Sequence, residues 1–145
     1  MIIAVDFDGT IVEDKFPGIG EEILFAFQTM KQLKKEGHQL ILWTYRFGEA
    51  LEDAVEFCRD NGIDFYAVNK SFPEEKFDAT IVSRKIKADI YIDDRNVGGM
   101  IGWGEIWNLL NPMSGRKEDQ YINYNAHSNY KKKTPMWKKI IFGKK

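Results

Sequence analysis

Asp6 and Asp8 stand one residue apart in "IAVDFDGTIV", residues 3–12, where an apolar run meets Gly9 and Thr10. Two carboxylates at that spacing repel each other and lose hydration unless a positive charge sits between them. A second pair, Asp93 and Asp94, ends another apolar run, "ADIYID". Four such acids ask for a hard cation. Mg²⁺ prefers oxygen ligands and keeps several waters, which leaves a place for a phosphate oxygen. His38 and His127 are isolated and Cys58 is the single cysteine, so no nitrogen or sulfur cluster calls for a softer metal. The chemistry that follows is phosphoryl transfer. One carboxylate attacks phosphorus and carries the group as an aspartyl-phosphate, and the other gives and then takes a proton. Asp6, deeper in the run, is the candidate nucleophile, and Asp8, on the loop, is placed to reach a leaving-group oxygen. Gly9 lets that loop turn tightly with its backbone near the phosphate. Thr44 and a nearby lysine are expected to supply the remaining phosphate contacts.

These residues need elements to hold them. Four short apolar segments, at residues 2–7, 39–44, 64–69 and 88–93, read as strands of the near-continuous kind that is covered on both faces. Between them, residues 21–36 place Ile23, Phe27, Met30 and Leu33 on one helical side, with acids at the start, lysines at the end and Gly37 after. Residues 49–61 place Leu51, Ala54, Val55 and Cys58 inward, and Gly62 ends them. Cys58 on that inner face reads as a packing thiol. Trp103 and Trp107, four residues apart, also read as packing. Strands alternating with helices build an α/β parallel sheet, whose ligands bind beyond the carboxyl ends of the strands. The strand ends carry Asp6–Asp8, Thr44–Arg46, Asn69–Lys70 and Asp93–Arg95, so the polar groups gather at one edge.

With these residues in place, the sequence resembles the haloacid dehalogenase (HAD) superfamily over residues 1–110. "DFDGTIV" is similar to its first motif, "ILWTYR" to its second, and "YIDDRN" to its fourth, while "SRKIKADIYIDD" supplies the lysine of the third. The likeness is to small, capless bacterial hydrolases. It implies a three-layer Rossmann-like fold with a central parallel sheet, and a Mg²⁺-dependent phosphate-ester hydrolase. Asp6 would be nucleophile and metal ligand, and Asp8 would be the general acid/base with a backbone carbonyl on the metal. Asp93 would ligate the metal, with Asp94 beside it, and Thr44 would bind phosphate. Lys85 is favoured over Lys87 as the phosphate lysine because Lys87 abuts the strand. Arg46 and Arg95 flank the site, to pair with its acids or touch substrate.

The insertion points of a cap hold only a flap, "TIVEDKFPGIGEE", and a loop, "KSFPEEKFDATIVS". Both are too short for a folded cap. Capless relatives act on large substrates or close the site with a neighbouring subunit, so the resemblance implies either a large substrate or a homo-oligomer. Phe16, Pro17, Tyr45 and Phe72 are candidates to line the mouth. Two other functions stand beside the phosphatase. One is a nucleotide or nucleic-acid 3'-end phosphatase, from the likeness of "IDDR" and the Thr-x-Arg motif. The other is a phosphate-binding module without turnover.

The chain of 145 residues suits one catalytic domain over residues 1–112 and an extension over residues 113–145. The lone cysteine and the absence of a signal-like start point to the cytoplasm. The net charge of −1 hides a division: residues 1–126 carry −8, whereas residues 127–145 carry seven lysines and no acid. In that tail Met136, Trp137, Ile140 and Ile141 share a helical side. Lysines beside such a face suit an anionic membrane surface, nucleic acid, or the acidic body of a subunit.

Overall fold

A computed structural model of the chain describes residues 1–111. Its order is β1 (Ile2–Val5), α1 (Ala26–Lys35), β2 (Gln39–Leu42), α2 (Gly48–Asp60), β3 (Ala67–Val68), β4 (Ile90–Ile92) and α3 (Trp103–Leu110). The expected extension and basic tail, residues 113–145, lie outside the described residues.

All four strands pair in parallel, in the order β3-β2-β1-β4. The chain steps outward from β1 through β2 to β3, then returns to place β4 on the other side of β1. Strand order therefore reverses between β1 and β4, and a crevice opens beyond their carboxyl ends. The register sets Val5 opposite Ile92, and the Asp6 amide extends the ladder by donating to the Ile92 carbonyl at 3.0 Å. Asp6 and Asp93 thus leave the sheet side by side.

Alternation along the strands divides the sheet into two faces. Ile3, Val5, Leu40 and Leu42 join Phe27, Met30, Leu33, Ala54, Cys58, Trp103 and Ile106 in the main core. All three helices contribute to it. On the opposite face Ala4, Ile41 and Ala67 are covered by Ile86, from the connection between β3 and β4. The expectation of a three-layer fold is met there by a loop: among the described residues, no helical residue belongs to that second cluster. The reason is local. The connection contains Pro73 and the β-branched run Thr80-Ile81-Val82, and has no helical repeat of apolar residues. Small residues such as Ala4 and Ala67 let an extended segment lie close to the sheet.

The helix expected over residues 21–36 begins only at Ala26. Glu22 is instead bridged to Val12, and the Glu13 amide donates to the Glu21 carbonyl at 2.9 Å. A long-range pairing therefore takes the acids that resembled a helix start. They close residues 13–21 into a hairpin-like flap. Gly20 is required there, because a β-carbon on it would fall 2.1 Å from the Glu13 carbonyl oxygen. The helix ends follow the sequence. Gly37 and His38 donate to Lys34 and Leu33, and Gly62 and Ile63 donate to Arg59 and Cys58. This is the paired closure that a left-handed glycine permits, with φ of 81° and 80°.

Candidate functional site

At the crevice between β1 and β4, one carboxylate oxygen from each of Asp6, Asp93 and Asp94 lies within 4.8 Å of the others. Their backbones are fixed from several sides. The Asp94 amide donates to the buried Thr10 hydroxyl at 3.0 Å, and the Trp103 indole donates to the Thr10 carbonyl at 2.8 Å. Thr10 thereby ties the first loop to the end of β4 and to α3. Asp93 accepts from the Arg95 amide at 2.7 Å, which curls the chain back toward the cavity. Gly9 has φ of +76°, and a β-carbon there would lie 2.5 Å from Asp94 Oδ2. Its observed task is to let Asp94 approach the loop, rather than only to free the backbone for a phosphate.

Among the described residues the triad has one cationic neighbour, Arg95, at 3.4 Å from Asp94 Oδ2 and itself exposed. Asp6 is pushed up from 3.8 to about 7, chiefly by burial, with Asp93, Asp94 and Asp8 adding repulsion against one backbone hydrogen bond from Phe7. Asp94 Oδ1 is buried and has no hydrogen-bond partner. Buried carboxylate oxygens are costly without a partner, and an all-oxygen set of this kind fits a hard divalent cation such as Mg²⁺. Asp6, Asp93 and Asp94 are the side chains that would hold it.

Asp8 is treated differently. Arg46 donates to it in a side-on fork, Nε to Oδ2 and Nη2 to Oδ1, both at 2.7 Å. The same guanidinium donates through Nη1 to the carbonyls of Pro17 (2.9 Å) and Ala50 (3.3 Å), and through Nη2 to that of Gly18 (2.5 Å). All five N–H groups are engaged. The plane also lies over the Phe7 ring at 4.7 Å and the Phe16 ring at 5.5 Å. With its side chain 1% exposed, Arg46 is a buried clamp that fastens Asp8 and the flap tip together. Of the two roles expected for it, pairing with an acid is the one present.

The end of β2 is held by Asn69, which sits at φ 52°. Its Oδ1 accepts from the Thr44 amide at 2.8 Å, and its Nδ2 reaches the Arg46 carbonyl at 3.4 Å. The Thr44 hydroxyl accepts from the Arg46 amide at 3.3 Å and keeps its own proton for a ligand.

Above these groups lies a cavity of about 550 Å³. Of the residues expected from sequence, Asp6, Asp8, Thr44, Tyr45, Arg46, Asp93 and Arg95 line it, and Phe16, one of the mouth candidates, does so too. Asp14 and Trp43 also line it and were not anticipated. Lys85 and Lys87 are not in the lining. The Lys85 ammonium lies 5.4 Å from the centre of the Tyr91 ring, and the Lys87 amide donates to the Ser71 hydroxyl at 3.0 Å. Thr10 is given no role by the sequence reading, and Asn69 is placed at the site edge with no role. The one signal available for Asn69 was its type, since asparagine tolerates left-handed backbone at a strand end.

No family model matches the sequence, and no curated protein matches it. Among solved structures, a conserved protein of Bacteroides thetaiotaomicron is 55% identical, with a TM-score of 0.73, over 79% of this chain and 93% of that one. The chain belongs to that protein's family. The shared fold is the α/β parallel sheet described above. Among the described residues no helix is long and apolar enough to cross a membrane.

Proposed function

We propose that the protein is a Mg²⁺-dependent phosphate-ester hydrolase of the HAD type, acting through an aspartyl-phosphate on Asp6. The observation that carries this reading is the convergence of Asp6, Asp93 and Asp94 across the β1–β4 crevice, with Asp94 Oδ1 buried and unpartnered. A bound Mg²⁺ would supply the positive charge that keeps Asp6 ionised at neutral pH and would polarise a phosphate oxygen. Asp6 attacks phosphorus, the bond to the ester oxygen breaks, and that oxygen leaves with a proton from Asp8. Water then attacks the phosphorus of the Asp6 adduct and gives its proton to Asp8, which restores both carboxyl groups and releases inorganic phosphate. Both Asp8 oxygens accept from Arg46, which fixes the orientation of the carboxylate while each oxygen keeps a lone pair for the transferred proton. Thr44 offers its hydroxyl proton to a phosphate oxygen. A reducing, cytoplasmic setting accords with the buried Cys58 thiol.

The position of the lysines favours a second reading, a phosphate-binding module without turnover. The step that HAD chemistry assigns to a lysine has no lysine in the cavity lining. One experiment separates the two. Turnover of p-nitrophenyl phosphate with Mg²⁺, abolished by EDTA and by Asp6→Asn, supports the hydrolase. Binding of inorganic phosphate with no turnover supports the module, and activity indifferent to EDTA refutes the metal-dependent mechanism.

A further inference from the structure

The cavity walls select among phosphate esters, and this inference rests on the phosphate-site reading above. Three aromatic side chains, Phe16, Trp43 and Tyr45, line the cavity alongside the acids. Tyr45 is 94% exposed, and Phe16 is half exposed on the flap. Neither ring is spent on the core. Large aromatics held in the open at a cavity wall mark contact with something apolar and flat. Phe16 is also held in place. The carbonyls of Pro17 and Gly18, which follow it, are fastened to the buried Arg46, and its ring lies over the same guanidinium. The flap wall is thus built before any ligand arrives, which lowers the ordering cost of binding.

Charge narrows the class further. Four acids line the cavity, Asp6, Asp8, Asp14 and Asp93, with only two cations, Arg46 and Arg95. Arg46 has no N–H left to give. Arg95 is shared between Asp14 and Asp94, at 3.4 Å to each. One divalent cation and one phosphate consume the attraction available, and a second anionic group on the ligand would face carboxylates.

The geometry points to phosphate monoesters whose alcohol portion carries an uncharged aromatic or heteroaromatic ring, seated against Phe16, Trp43 and Tyr45. Esters with a saturated alcohol or a second anionic group are discriminated against.

The test compares benzyl phosphate with cyclohexylmethyl phosphate, which share an alkoxide leaving group and differ in the ring, and with 4-carboxybenzyl phosphate. With the full chain and Mg²⁺, kcat/KM for benzyl phosphate should exceed that of the saturated ester by about tenfold. The carboxylate should lower it by about tenfold, and less at high salt. Tyr45→Leu should bring the benzyl-to-cyclohexylmethyl ratio toward one, and Tyr45→Phe should keep it. The corresponding non-hydrolysable phosphonates, titrated calorimetrically with Mg²⁺, read the same preference without turnover. A preference in binding with no hydrolysis of any ester would overturn the hydrolase reading and support the ring site. Hydrolysis with equal kcat/KM for ring and saturated esters would overturn the ring site and leave the hydrolase standing. Failure of both phosphonates to bind, together with no hydrolysis of any ester, would overturn both.

Discussion

Replacing Arg46 with methionine should cost the fold far more than loss of an ordinary surface ion pair. The substitution keeps an unbranched side chain against Phe7 and Phe16 but removes all five donors. Asp8 then keeps a carboxylate whose two oxygens had each accepted at 2.7 Å, and the flap loses its ties at Pro17 and Gly18. Removing one partner of a buried pair costs about 3–5 kcal/mol. Asp8 keeps 17% side-chain exposure, so water recovers part of its hydration. Pro17 and Gly18 are exposed, and water can take over their carbonyls as well. The lower figure, about 3 kcal/mol, is therefore expected. With a urea slope of about 1.5 kcal/mol per molar, the unfolding midpoint falls by about 2 M at unchanged slope. Arg46→Lys keeps charge but gives three donors without the fork, and should lie between, at about 1–2 kcal/mol. A double-mutant cycle with Asp8→Ala isolates the pair and should return a coupling of about 2 kcal/mol. A loss under about 0.5 kcal/mol for Arg46→Met, the value of an exposed pair, would refute the clamp. So would zero coupling.

Three further expectations follow from the same geometry. Gly9→Ala forces φ of +76° on an alanine and drives its β-carbon to 2.5 Å from Asp94 Oδ2; a destabilisation of about 1–3 kcal/mol and a weaker thermal shift with Mg²⁺ should appear together, and an unchanged shift would count against it. The raised Asp6 carboxyl favours the folded state while protonated, so its contribution is complete below about 3.8 and is lost as pH rises through about 7. Discounted for solvent at the cavity, the metal-free protein should lose about 1–3 kcal/mol between pH 5 and 8; Mg²⁺ or Asp6→Asn should flatten that slope, and stability that climbs over this range without metal contradicts the assignment. Burial pushes the Cys58 thiol to about 12, so a thiol reagent at pH 8 should label it only after unfolding, and rapid labelling of the folded protein would place the thiol at the surface.

The strands and three of the four carboxylates expected to cluster were legible in the sequence because acids ending an apolar run are a short-range pattern; the fourth, Asp8, pairs with Arg46 instead. An apolar run that ends in acids reads as a strand delivering carboxylates, and Asp6, Asp93 and Asp94 do converge. What the sequence hid depends on distant partners. Glu21 and Glu22 look like acids opening a helix, yet the flap takes them as its returning strand, and α1 starts at Ala26 under Phe25 at φ 68°. Arg46 could be named as a neighbour of the site, but its pairing with Asp8 joins residues 38 apart and required the flap to fold over it. Thr10 and Asn69 act through single hydrogen bonds, to the Asp94 and Thr44 amides, that no periodicity announces. The preference for Lys85 over Lys87 rests on Lys87 abutting the strand, which says nothing of where an exposed loop directs its side chains.

The spacing of Asp6 and Asp8 now has a physical answer in two parts. The two acids have different surroundings, although only one residue separates them at the end of β1. Asp8 leaves the sheet toward the flap and receives a cation built into the chain, with the flap's carbonyls arranged around the same guanidinium. Asp6 stays at the crevice with Asp93 and Asp94, where among the described residues no lysine or arginine makes a hydrogen bond or ion pair to it or to Asp93 through a side chain. Of the three, the exposed Arg95 side chain reaches Asp94 alone, at 3.4 Å, and it also pairs with Asp14. Evolutionarily simple relief, a second buried arginine, would have filled the crevice and fixed its charge. In the proposed mechanism the three clustered oxygens would receive a divalent cation, and the charge of Asp6 would depend on whether one is bound. That division is why the two carboxylates, though neighbours in sequence, can serve as oriented proton carrier and as metal-dependent nucleophile in the proposed reaction.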